Sequence, residues 1–365
     1  MIKNFKILDN GLNIHFVNDK EEIYPNIWLR DHAKDEENWD KRSHQRKTYT
    51  ASLDLNIEIT KAKIIDNGKG ISIHWADMDQ PIEYSYEFLN NNSLNNIKQK
   101  QLYKSWTKSD LSKDLFIDFE KINYEEIFKF MLKQLNEFGF VVLENCETEL
   151  HTVKKIANKI GYVRNSIFGG LWSFESNENM ADSSYTQEEL RPHTDATYSN
   201  DAPGLQLLMC SEYNAEGGES ILVDGYKIAD LMKSQNQYYY DILTKIEVTG
   251  NYIGDGVFLE AKRPIFKLNS ENEIIQVSYN NYDRASFRMK NNLTMDFYKA
   301  IKEFDLIAND KKNQWRHILR PGQLLIINNW RLLHGRGSFK GTRKMSGCYI
   351  NKEDFDSTCK INGII

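Results

Sequence analysis

The sequence predicts a mainly β protein with flanking helices (α+β), an antiparallel double sheet preceded by a small β-rich N-terminal domain. Three observations carry this. Short apolar or alternating runs recur along most of the chain, and few helical stretches separate the later ones. No G-x-G-x-x-G or P-loop occurs that would open a doubly wound parallel sheet.

Within the first hundred residues, runs at 14–17, 51–57, 64–65 and 71–75 read as strands. They are broken by Asn-Gly, Asp-Asn-Gly-Lys-Gly and Asp-Gln-Pro turns. The polar, low-complexity stretch 90–101 marks a boundary, giving domains at 1–100 and 101–365. The second opens with a helix whose Ile127, Phe128, Met131, Leu132, Leu135 and Phe138 share one face. Asn123 and Glu126 are spaced for a capping box, and Gly139 ends the helix. A buried strand follows at 140–143, then a helix near 149–160. Later strands read at 205–209, 220–223, 274–278, 323–327 and 345–350, with one helix near 293–306 among them.

Composition narrows the function. The 365 residues, 40% hydrophobic and 12% aromatic, suit an ordinary globular protein. A net charge of −5 offers no basic face to a nucleic acid. Cys146, Cys210, Cys348 and Cys359 are too scattered for a disulfide framework, and no C-x-x-C suggests a zinc ribbon or redox motif. Residues 1–12 show no secretory or mitochondrial leader pattern, and the longest apolar runs are about four residues. The expectation is a cytosolic chain that acts on a small molecule, away from membranes.

His193-Thr194-Asp195 is the first motif with chemical content. On a strand, a spacing of two puts an imidazole and a carboxylate on one face. Alone the pattern is weak, since a polar pair near a turn gives it too. His334 lies 141 residues after His193 and follows the apolar run 323–327. Its neighbours Gly335 and Arg336 predict a strand-edge loop, where sites are often built. Two histidines and one carboxylate, with open positions left over, form the facial triad of non-haem Fe(II) oxygenases. Zinc accepts such ligands as well, but the H-E-x-x-H signature is absent. Arg343, nine residues after His334, can grip a dicarboxylate bidentately and stay charged.

Together with Gly217-Gly218-Glu219-Ser220, Ile27-Trp28-Leu29-Arg30-Asp31-His32, Asn280-Asn281-Tyr282-Asp283-Arg284-Ala285 and Trp330-Arg331-Leu332-Leu333-His334-Gly335-Arg336, these residues form a recognisable set. The chain resembles the Fe(II)/2-oxoglutarate dioxygenases of the taurine dioxygenase superfamily. Within it, the chain is similar to the γ-butyrobetaine and trimethyllysine dioxygenases, and closer to the trimethyllysine branch. The resemblance implies a jelly-roll (double-stranded β-helix) catalytic domain. It implies His193, Asp195 and His334 as iron ligands and Arg343 as the partner of the distal carboxylate of 2-oxoglutarate, with Ser220 helping to hold that cosubstrate. Trp172, Tyr185 and Tyr349 match an aromatic cage for a trimethylammonium group, whose ring faces contribute about 0.5–2 kcal/mol each. Phe168 stands where the family carries a cage tyrosine, and Asn281 joins the substrate residues.

Asp182 stands three residues before Tyr185, where the γ-butyrobetaine branch carries an amide. An acid there suits the α-ammonium of an amino acid. The implied reaction is hydroxylation of N6-trimethyllysine at C3, with O2 consumed and succinate and CO2 formed. γ-Butyrobetaine, another betaine or osmolyte, and a fold that binds without catalysis are the alternatives. Relatives hold a structural zinc in the N-terminal domain, but 33–41 contains no cysteine and Asp79 replaces the expected histidine. No zinc is expected, so the small domain must hold by its own core or within a homodimer.

Overall fold

Alternating burial builds the first sheets. Leu12, Ile14 and Phe16 on strand Gly11–Phe16, and Ile71, Ile73 and Trp75 on Gly70–Trp75, point into one core. Each strand is the centre of a three-stranded antiparallel sheet, flanked by Ile2–Leu8 and Glu21–Pro25 in one case and by Ile59–Ile65 and Ile82–Ser85 in the other. The computed structural model describes residues 1–94, 103–175, 187–254 and 256–365. The chain divides into two compact units, Met1–Gln101 and Leu102–Ile365.

One feature of the first unit differs from expectation. The run 51–57 is not a strand: Thr50–Ser52 is a 3-10 turn, and Leu55 is exposed. The Asp54 carboxylate accepts from the Asn56 N–H and the Asp54 carbonyl from the Ile57 N–H, so local bonds replace a ladder. In the segment after Trp28-Leu29-Arg30, side chains fasten the loop. Arg30 donates to Asp77 at 2.9 Å and to Asn38 at 3.1 Å, and Asn38 donates to Asp35 at 2.6 Å.

The second unit packs two sheets face to face. The larger runs in the order Val163–Arg164, Phe339–Ile350, Leu205–Gly217, Leu324–Asn328, Phe140–Glu144, Phe116–Asp118, and Leu171–Glu175 also pairs with Phe339–Ile350. The smaller runs Leu190–His193, Leu332–Arg336, Ser220–Asp224, Gln314–His317. Pairing is antiparallel except between Phe140–Glu144 and Phe116–Asp118. Phe140, Val142, Leu325 and Ile327 meet Leu222 and Leu332 between the sheets. Their alternates Val141, Leu143, Leu324 and Ile326 pack outward under helices Glu125–Phe138, Leu150–Ile160 and Lys352–Ile361. Ile221, Val223 and Leu333 pack outward under Asn291–Asn309 and two further helices. This is the jelly-roll arrangement with helices on its outer faces.

Those two helices, Gly225–Gln235 and Gln237–Lys245, lie between later strands where none was expected. Asp224 caps the first through the Tyr226 N–H and Asn236 caps the second through the Tyr239 N–H. The capping box of Glu125–Phe138 is also absent. Its N-cap is Tyr124, and Asn123 instead donates to the Glu120 carbonyl within the turn Glu120–Asn123. Gly139 does end that helix, at φ 85°, with Leu332 packed where a Cβ would stand. Arg331 and Asp224 form a fully buried ion pair at 2.8 Å, and Arg331 also donates to the Glu137 and Lys104 carbonyls. Among the described residues no helix is long and apolar enough to cross a membrane.

Candidate active site

The smaller sheet places the two histidines opposite each other. His193 pairs with His334 across neighbouring strands, and their rings lie 4.6 Å apart. His334 therefore sits within strand Leu332–Arg336, laddered on both sides, and not on an edge loop. Strand Leu190–His193 stops before Asp195, so alternation along a strand does not bring Asp195 in. A bend does, with Ala196 at φ 56°. Asn329 fixes that bend: its Oδ1 accepts from the Asp195 N–H at 2.7 Å, and its Nδ2 donates to the Asp195 and Pro203 carbonyls.

The result is a tight cluster. Asp195 Oδ1 lies 3.5 Å from His193 Nε2 and 3.3 Å from His334 Nε2. One atom from each of the three falls within 4.8 Å of the others, a spacing that suits a metal ion. His193 Nδ1 donates to the Arg191 carbonyl at 2.8 Å, which leaves the Nε2 lone pair directed at the cluster. Asp195 Oδ2 accepts from Gln206 Nε2 at 2.7 Å and the Tyr349 hydroxyl at 2.8 Å. Burial raises the Asp195 carboxyl, but the two imidazoles outweigh it and hold that carboxyl well below the usual range.

A cavity of about 530 Å³ opens on this cluster, lined also by Ser220, Arg343, Phe168, Trp172 and Tyr349. Arg343 is only 5% exposed, yet its guanidinium makes no hydrogen bond or ion pair with any described residue. Burial pulls its ionisation down, with the Cys210 thiol opposing. Gly217 and Gly218, at φ 81° and 73°, let the chain pass close over Phe339 and Arg343; a Cβ on Gly218 would stand 3.5 Å from Arg343 Cδ. Trp172 and Tyr349 lie 5.8 Å apart at 53°. Asn281 does not reach this cavity. Its neighbour Asn280 accepts from the Tyr282 N–H, and the tight turn leaves Asn281 lining cavities beyond Tyr282. Asp182 and Tyr185 lie outside the described residues.

Several lining residues carry no sequence signal of their own. Tyr198 and Tyr252 lie 5.3 Å apart at 39°, the latter from hairpin Glu247–Gly254 and Val257–Pro264. Asp283 belongs to the 280–285 motif, in which Asn281 was the residue singled out. Gln206 was not singled out, although it is the lone polar residue in the apolar run 205–209.

Residues 107–349 match the family described as taurine catabolism dioxygenase TauD, TfdA family. The chain belongs to that dioxygenase family. Residues 4–90 match a second family, gamma-butyrobetaine hydroxylase-like, N-terminal. Trimethyllysine dioxygenase of Meyerozyma guilliermondii is 31% identical over 93% of this chain and 90% of the relative. The mitochondrial trimethyllysine dioxygenase of Homo sapiens is 28% identical, over 93% and 82%. Gamma-butyrobetaine dioxygenase of Homo sapiens is 27% identical, over 96% and 94%. Among solved structures, asparagine oxygenase in complex with Fe(II), 2S,3S-3-hydroxyasparagine and succinate superposes with a TM-score of 0.50 at 13% identity. It covers 63% of this chain and 79% of its own, and shows that the fold is shared.

Proposed function

We propose that this member of the family is an Fe(II)- and 2-oxoglutarate-dependent hydroxylase of N6-trimethyllysine. One observation carries the reading. Arg343 is a buried cation with no anionic partner among the described residues, in the same cavity as a three-ligand cluster. An uncompensated buried charge is costly, and a dicarboxylate cosubstrate supplies what is missing. The donor set fits Fe(II): two imidazoles and one carboxylate, open toward the cavity. Bound there, Fe(II) with 2-oxoglutarate would supply O2 activation, coupled to decarboxylation to succinate and CO2.

The chain's own residues position the reactants. His193, Asp195 and His334 hold the metal, while Gln206 and Tyr349 fix which Asp195 oxygen faces it. Arg343 grips the distal carboxylate of 2-oxoglutarate, with Ser220 beside it in the cavity. Phe168, Trp172 and Tyr349 offer ring faces to a trimethylammonium group, which has no N–H to donate. Tyr185 completes this cage in the proposal, and Asp182 stays in it as a candidate partner of the substrate. The names of the 31% and 28% identical relatives favour trimethyllysine over γ-butyrobetaine.

Mass spectrometry of the protein with Fe(II), 2-oxoglutarate and a panel of trimethylammonium compounds tests this. Trimethyllysine should gain one oxygen atom as succinate accumulates in equal amount. Absence of succinate with every compound would remove the enzyme reading, and faster turnover of γ-butyrobetaine would remove the choice of substrate.

A further inference from the structure

Among the described residues lining the central cavity, only Asp195 and Asp283 are acidic. Asp195 is fully engaged: Oδ1 faces both imidazoles, and Oδ2 accepts from Gln206 and Tyr349. Asp283 is not. Thr197 Oγ1 donates to its Oδ2 at 3.2 Å and Asn280 Nδ2 donates to the same atom at 2.9 Å, and both donors are neutral. Among the described residues no cation pairs with it.

Its position is fixed and close to the cluster. The Asp283 carbonyl accepts from the Asn251 N–H at 2.8 Å, Arg284 bridges to Gly250, and the Ala285 N–H donates to the Thr249 carbonyl. The segment is thus laced along strand Glu247–Gly254. Burial is the main influence that pushes the Asp283 carboxyl up, to about 7, and His193 and Asp195 are the charges it feels next. A half-buried acid with only neutral donors gains from a cationic ligand.

We propose that Asp283 receives the α-ammonium group of an amino-acid substrate and so selects a trimethylated amino acid over a betaine ending in a bare carboxylate. The inference rests on the function proposed above. In a substrate oxidised at C3, the α-carbon is one bond from the reacting carbon. Its ammonium must then lie beside the metal ligands, where Asp283 stands, while the far trimethylammonium goes to the ring faces. Trimethyllysine and γ-butyrobetaine both carry a carboxylate two bonds from the reacting carbon, but only trimethyllysine carries an ammonium beside it. In γ-butyrobetaine that anion would arrive near Asp283 without a cation between them and be repelled.

The test is Asp283→Asn, which keeps the volume and one oxygen acceptor and loses the charge. KM is measured for trimethyllysine and for its analogue without the α-amino group, with Fe(II) affinity measured alongside. The ratio of the two KM values should rise about 10- to 100-fold, the scale of one charge-assisted hydrogen bond. γ-Butyrobetaine should improve as a substrate. An unchanged ratio overturns the proposal, whether both KM values hold or both rise together, since a residue that only holds Thr197 would move them equally. Asp182→Asn in parallel overturns it too if that variant alone shifts the ratio. Failure of the wild-type protein to turn over any trimethylammonium compound is a separate result, which sinks the proposed function itself and this inference with it.

Discussion

Asp195 is the residue on which the proposed site turns, and its contacts can be removed one at a time. Tyr349→Phe deletes the 2.8 Å hydrogen bond to Oδ2 and leaves the ring beside Trp172. Fe(II) affinity should fall about tenfold, with the substrate KM moving much less; an equilibrium titration with Fe(II) checks this. Arg343→Lys keeps a charge but loses the planar fork, so KM for 2-oxoglutarate should rise about 10- to 100-fold with Fe(II) binding intact. Trp172→Ala should raise KM for trimethyllysine about tenfold and leave KM for 2-oxoglutarate where it was. Equal shifts in both would mean that Trp172 serves the core. At this scale much was legible: His193, Asp195, His334, Arg343, Ser220, Phe168, Trp172 and Tyr349 all line one cavity. Asn281 lies outside that wall and its neighbour Asn280 in it, because a turn through Asn280 decides which side chain faces inward.

Elements hold these residues through backbone contacts that side-chain patterns do not announce. On strand Phe339–Ile350, a Cβ on Gly347 would stand 2.3 Å from the Trp172 ring and 2.2 Å from the Leu207 carbonyl. Gly347→Ala should therefore lower Tm and raise KM for the trimethylammonium substrate together, which thermal melts and steady-state kinetics would show. Loss of the buried Arg331–Asp224 pair acts on stability alone. Arg331→Met leaves Asp224 buried and uncompensated, at a cost of about 3–5 kcal/mol measurable by urea unfolding. Continuous apolar runs made strands such as 140–143, 220–223 and 324–327 readable, since each faces the inter-sheet core on one side and helices on the other. Alternation misled at 51–57, where Asp54 turned the chain locally, and at Asp195, which a bend held by Asn329 delivers. Helices Gly225–Gln235 and Gln237–Lys245 were missed although Asp224 and Asn236 are ordinary N-cap residues.

Across the whole molecule, each of the two units has its own apolar core, that of the first formed by residues such as Leu12, Ile14, Ile71, Ile73 and Trp75. We propose that the first is an independent folding domain: a fragment of residues 1–94 should melt cooperatively by circular dichroism, and a non-cooperative melt would refute this. The second unit unites the metal-sized cluster, an Arg343 with no anionic partner among the described residues, and the aromatic walls in one cavity. Anomalous diffraction at the iron edge tests that union most directly, using crystals grown without oxygen in Fe(II) and 2-oxoglutarate. The account predicts a single strong peak bonded to His193 Nε2, Asp195 Oδ1 and His334 Nε2, with 2-oxoglutarate reaching from it to Arg343. Iron bound elsewhere, or a cosubstrate that leaves Arg343 unpaired, would contradict it.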